Sequence, residues 1–154
     1  MLKKLVDAVT VLTRLCVIAV GCLLVVLVAG EVVFRYAVQQ SLIFSDELAR
    51  YCFVWVTFLG ASLALRRGQH IGLELGYHER WPLLRAAVHL AVAAFLMVFL
   101  WASAKLVPAM WAQRSPILDI SMGWIFLALP VGAALMLLQL LARVGGHGPD
   151  RDDR

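Results

Sequence analysis

The stretch SDELARYCFVWVTFLGASLALRRGQHIGLE, residues 45–74, decides the fold. It carries two acids and an arginine at one end of an apolar run, and two arginines, a glycine and a histidine at the other. The run from Leu48 to Leu65 is as long as a helix needs to cross a bilayer core of about 30 Å. Its ends carry the matching stop signals. Ser45 is a natural N-cap, and Asp46 and Glu47 in the first turn suit the positive end of the helix dipole. Gly68 after Arg66 and Arg67 makes a C-terminal cap with basic residues in the last turn. The stretch therefore predicts one complete membrane helix, and no catalytic reading of it holds.

The rest of the chain extends this reading. The protein has 154 residues, of which 62% are hydrophobic and 16% charged, against about 45–50% and about 25% in ordinary soluble domains. A soluble core could not hide that much apolar surface. Apolar windows run from Val11 to Gly30, Leu48 to Leu65, Ala86 to Ala104 and Ile120 to Ala142. None alternates as a barrel strand does, so within a bilayer only helices satisfy their backbone groups. The expected fold class is an all-α membrane protein forming one domain over residues 1–154. Its four transmembrane helices are expected at about 11–30, 47–66, 85–106 and 120–142, with a disordered, glycine-rich and charged tail at 144–154. The first window could alternatively be a cleaved signal peptide, but its loss would leave three spans with the charge bias harder to place.

With a cytoplasmic N-terminus, ten of the fourteen basic residues fall on the cytoplasmic side and four (Arg35, Arg50, Lys105 and Arg114) on the other. The positive-inside rule for short loops then places both termini in the cytoplasm. The net charge of +4 sits where anionic lipid headgroups attract it, and no nucleic-acid partner is needed to explain it.

Several side chains are not explained by span length alone. Steps of three and four from Glu47 give Arg50, Val54, Thr57, Ala61 and Ala64, a stripe charged at the top and small below. Membrane helices pack closely through such residues, so this stripe is the candidate seam against another helix or a partner subunit. Glu47 is the sequence-nearest partner for Arg50, since an arginine inside the boundary is normally paired. Glu31 and Arg35 have the spacing and order of a helical ion pair. They begin a segment, EVVFRYAVQQSLIFSDE (31–47), that is expected to lie as a short interfacial element between helices 1 and 2.

His70, Glu74 and His78 are each four apart, but Gly72 and Gly76 interrupt the helix that would gather them, so no metal is assigned. His89 is the one histidine inside a span. Trp101, Trp111 and Trp124 are expected to mark an aromatic belt. Pro130 and Gly132 predict a kink in the fourth span. Cys16, Cys22 and Cys52 read as small apolar fillers. There is no internal repeat, no nucleotide-binding loop and no Ser/His/Asp or Cys/His set. The chain also lacks the paired broken helices of a self-sufficient transporter, so it is expected to be neither an enzyme nor a carrier acting alone, and to need no cofactor.

The acid and arginine of 45–74, with Trp55, FLGAS (58–62) and the Arg-Gly-x-His-Ile ending, resemble the small membrane subunit, of DctQ type, of tripartite ATP-independent periplasmic (TRAP) transporters. The resemblance implies a bacterial inner-membrane scaffold that pairs with a large, many-helix membrane subunit carrying the solute and sodium sites. It also implies a periplasmic substrate-binding protein that delivers a carboxylate-bearing solute. Membrane lipids are the remaining expected partners. The positions it carries over are Glu47, Arg50, Trp55, Gly60, Arg67, Gly68 and His70, and Gln69 stands where many members have an acid. The alternative is a haem-bearing membrane anchor of a redox enzyme using His70 and His89.

Overall fold

The structure, a computed structural model, describes residues 2–39, 43–66 and 82–144. Arg67, Gly68 and His70, the loop positions Glu74 and His78, and the tail from 145 onward lie outside the described residues.

The described residues form five α-helices in chain order: α1 (Leu2–Val33), α2 (Ile43–Arg66), α3 (Pro82–Trp111), α4 (Gly123–Phe126) and α5 (Ala128–Val144). The described residues hold four stretches long and apolar enough to cross a membrane, with α4 and α5 together supplying the last. At about 1.5 Å per residue, α1 with 32 residues and α3 with 30 exceed what a bilayer core of about 30 Å requires.

The first helix does not stop at Glu31. It continues through Val33, still right-handed at φ −61°, into a single π-helical stretch, Phe34–Val38, which ends at Gln39 with φ 57°. The Glu31–Arg35 ion pair spans this junction and supports the extension. So the segment expected between helices 1 and 2 begins as a continuation of α1.

The fourth span also differs from expectation. Its two helices meet at Leu127, which keeps right-handed dihedrals, so Pro130 falls in the first turn of α5 and not in mid-helix. A proline there removes an N–H that helix geometry leaves without an intrahelical partner.

Helices pack in the spatial order α1, α2, α5, α3, with α1 also touching α5. The apolar centre is formed by Leu65, Leu96 and Leu140, flanked by Val92, Ala93, Met136 and Leu137. The α2–α5 crossing is close because its residues are small: Ser62 and Ala133 are fully buried, and Ala128 nearly so. Gly132 is required at this crossing, since a Cβ placed on it would lie 2.7 Å from Phe58 Cβ. Phe58 in turn stacks on Phe99 of α3 with ring centroids 6.0 Å apart. The outward faces of α1 and α3 are bulky and apolar, with Val25, Val26, Leu90, Phe95 and Val98 all strongly exposed. These faces suit lipid tails.

Gly132→Ala is therefore expected to lower the thermal midpoint in detergent, at a cost of about 1–3 kcal/mol from overpacking. Gly60→Ala, where the added Cβ meets open space, is expected to change stability by no more than about 0.5 kcal/mol. Thermal unfolding of both variants, side by side, checks the crossing.

Candidate functional site

Polar ties hold α2 at both ends. At its start, Glu47 is only 7% exposed although it carries a formal charge. A buried carboxylate is tolerable only when donors surround it. Its Oε1 accepts the hydroxyl protons of Tyr51, one turn further along α2, and of Ser115, in the connection between α3 and α4. Its Oε2 accepts the Leu118 N–H at 3.1 Å.

The connection that Glu47 holds, residues 112–122, is a tight hairpin-like loop. Ser115 N–H donates to Ile120 O and Met122 N–H to Gln113 O, each at 2.9 Å. Asp119 takes a left-handed φ of 52° at the turn, and its carbonyl accepts the Arg114 guanidinium. Ser121 donates its hydroxyl to Trp111 O at 2.8 Å. The rings of Trp111 and Trp124 then close the base of the loop at 5.4 Å.

Ser45 does not cap α2, because the helix starts two residues earlier at Ile43. Its buried hydroxyl instead donates to Leu27 O of α1 at 3.1 Å. Arg50 does not pair with Glu47. It pairs with Asp46 at 2.6 Å, and both side chains are well exposed. The physical reason is position: Asp46 lies one turn before Arg50 on the outward side, whereas Glu47 turns inward to donors already gathered there.

At the other end of α2, Arg66 donates to the Asp7 carboxylate, to Thr10 Oγ1 and to Val6 O, all on α1. Thr10 Oγ1 also accepts Gln139 Nε2 of α5 at 3.0 Å, while its own proton goes to Val6 O. Gln139 is 1% exposed, and its Oε1 has no bonded partner. This knot joins α1, α2 and α5. The capping and charge-bias signals around Arg66 do not by themselves reveal it. The available signal was an acid, Asp7, and a base, Arg66, at facing ends of consecutive antiparallel helices.

The stripe predicted from Glu47 to Ala64 is only partly buried, with Val54 among its half-buried members. Its top, Glu47, turns inward, but Arg50 and Thr57 are exposed and Ala61 and Ala64 only half-buried. Gly60 borders open space. Trp55 is half-buried. The residues of α2 that do pack inside are Ser45, Ala49, Cys52, Leu59, Ser62 and Leu65, a stripe at the same helical steps but rotated around the axis. Thr57 returns its hydroxyl to Phe53 O at 2.8 Å, which satisfies it without a neighbouring helix. Glu31 and Arg35 pair as the sequence predicts, and His89 is half-buried on α3.

Among the described residues, the buried Ser45, Glu47, Ser115 and Gln139 serve helix-to-helix or helix-to-loop ties, while the buried hydroxyls of Thr13, Ser62 and Ser103 return to their own helices, and no three His, Cys, Asp or Glu side chains gather as a metal site would require. The geometry is that of a braced bundle with one small-residue face left open.

Residues 24–147 match the family described as "Tripartite ATP-independent periplasmic transporters, DctQ component". A protein of Haemophilus influenzae named as a TRAP transporter small permease is 22% identical over 151 residues, covering 94% of this chain and 92% of that one. The C4-dicarboxylate TRAP transporter small permease protein DctQ of Rhodobacter capsulatus is 29% identical over 107 residues, 66% of this chain and 47% of the relative. The Sialic acid TRAP transporter permease protein SiaT of Haemophilus influenzae is 29% identical over 116 residues, which are 73% of this chain but only 19% of that longer protein. With a match over most of its length and four helices fit to span a membrane, the chain belongs to the DctQ component family of TRAP transporters, multi-pass proteins of the bacterial inner membrane.

Proposed function

We propose that this chain is the static small subunit of a sodium-coupled TRAP transporter, docking on the large membrane subunit through the open face of α2. Members of its family are transporter components and not enzymes, and they pair with the large permease. The family match does not favour the haem-anchor alternative. The observation that carries the docking assignment is the partly open stripe of exposed Thr57 and half-buried Gly60, Ala61 and Ala64 below the exposed Asp46–Arg50 pair. The α2 window has the lowest mean hydropathy of the four spans, 1.6 against 2.2–2.8. Small and polar surface of this kind gains more from a facing helix than from lipid, whereas the bulky faces of α1 and α3 gain nothing comparable.

In this arrangement the large subunit carries the solute and sodium sites and moves, while the small subunit widens the fixed part. A periplasmic substrate-binding protein delivers the solute. The bracing of α2 at both ends supports a static role. The length of SiaT beyond the matched segment supports pairing with a larger partner. The solute is a carboxylate-bearing acid, as the names of the sialic acid and C4-dicarboxylate relatives suggest. Both termini lie in the cytoplasm, as the bias of basic residues supports.

Thr57→Trp is expected to abolish co-purification of the large subunit while leaving the thermal midpoint of this chain unchanged, because the side chain is exposed and its hydroxyl bonds only within its own helix. Retained co-purification would remove α2 from the interface. Glu47→Ala removes the shared acceptor of two hydroxyls and leaves the Leu118 N–H only its 3.3 Å contact with Ser115 Oγ, and is expected to cost about 2–4 kcal/mol of stability and to reduce both assembly and uptake. Unchanged unfolding and unchanged uptake in that variant would sink the assigned role of Glu47. Proteoliposomes holding both membrane subunits and the binding protein are expected to take up a carboxylate solute with external sodium and not with potassium. Uptake indifferent to sodium would overturn the coupling, and uptake restricted to solutes without a carboxylate would overturn the solute class.

A further inference from the structure

A second polar feature takes no part in bracing the bundle. Where α1 passes into its π-helical end, it forms with the first turn of α2 an open cleft of about 260 Å³ lined by Val28, Glu31, Val32, Arg35, Tyr36 and Asp46. That is room for about eight water-sized groups at about 30 Å³ each, the scale of a phosphoethanolamine. Its lining combines two valines with side chains of both charge signs.

The acids outnumber the base on this rim. Glu31 uses Oε1 for Arg35, and Asp46 uses Oδ2 for Arg50. Among the described residues no donor is bonded to Glu31 Oε2 or Asp46 Oδ1, so the two oxygens are acceptors for a cation that carries N–H protons. Arg35 engages one of its five donors, which leaves its guanidinium able to meet an anionic oxygen beside that cation. The Tyr36 side chain is 80% exposed on the same rim. Below the cleft, Val25, Val28 and Val32 are exposed at helical steps along α1. They form an apolar track leading from the charged rim toward mid-span.

We propose that this cleft is a headgroup site for an aminophospholipid, with the primary ammonium on Glu31 and Asp46, the phosphate on Arg35, and an acyl chain along the valine track of α1. A soluble amine offers the same ammonium but leaves the track empty, and the position of the cleft at the end of a membrane span favours the lipid. The site shares Asp46 with the upper end of the α2 docking face but does not depend on the transporter assignment. Its selectivity rests on counting N–H donors: phosphatidylethanolamine and phosphatidylcholine have the same charges, but the choline nitrogen donates no hydrogen bond.

The test is native mass spectrometry of the full chain released from mixed bilayers of phosphatidylethanolamine, its mono- and dimethyl derivatives, phosphatidylcholine and phosphatidylglycerol with matched acyl chains. The expected result is retention of phosphatidylethanolamine about tenfold over phosphatidylcholine, as befits hydrogen bonds to charged groups, falling stepwise with each methyl added. Asp46→Asn and Glu31→Gln are expected to bring the two lipids to parity in protein that elutes as a single species like the wild type. Equal retention along the methylation series in the wild type overturns the site without recourse to any variant. Preference for phosphatidylglycerol overturns it in favour of a phosphate-only contact, and displacement of the lipid by added spermidine overturns the lipid as the source of the amine.

Discussion

The carboxylate of Glu47 has to be buried, and everything at that end of the bundle follows from how the burial is made tolerable. An ionised group in a membrane span needs donors within reach. Here they come from two places far apart in sequence: Tyr51 on the same helix, and Ser115 with the Leu118 N–H on the α3–α4 loop. Gathering them forces residues 112–122 into a compact hairpin and sets that hairpin against α2. The Trp111 and Trp124 rings then close over Gly123, where any side chain would collide with Trp111. One acid thus organises a loop, a helix start and an aromatic pair.

At the opposite end the same problem has a different solution. Arg66 is buried to 16% side-chain exposure against α1, where Asp7 and Thr10 meet it, and Gln139 of α5 completes the contact. Between these polar ends the interface is small and apolar, so the bundle resembles two polar clamps separated by a packed shaft. The Gln139 oxygen is the one buried side-chain acceptor left without a partner among the described residues. It marks the knot as a place where polar chemistry is only partly offset.

The helices were legible in the sequence because hydrocarbon thickness imposes a length, and uncharged apolar runs of that length form little besides membrane spans. The Glu31–Arg35 pair was legible for a similar reason, since its partners are local. The packing of α2 was not. Arg50, Thr57, Ala61 and Ala64 share helical spacing with Ala49, Cys52, Leu59 and Ser62, and in an apolar helix periodicity alone does not say which set faces protein. That choice is made by Ser45 reaching Leu27 and by Glu47 reaching Ser115, contacts that span 18 and 68 residues. The recognisable residues of the family stretch split accordingly, with Glu47 inward and Arg50 and Gly60 outward.

Because α2 is fastened at both ends, the number of residues between the fastenings is itself a constraint. One residue added or removed between Glu47 and Arg66 turns one end relative to the other by about 100° and shifts it by about 1.5 Å. Glu47 and Arg66 could not then both face their partners. Only changes of about seven residues, close to two full turns, restore the angle, and those alter the length by about a third of the bilayer core. The distance from the acid to the arginine therefore works as a fixed gauge, one that tolerates exchange of side chains along the shaft but not a change in how many there are.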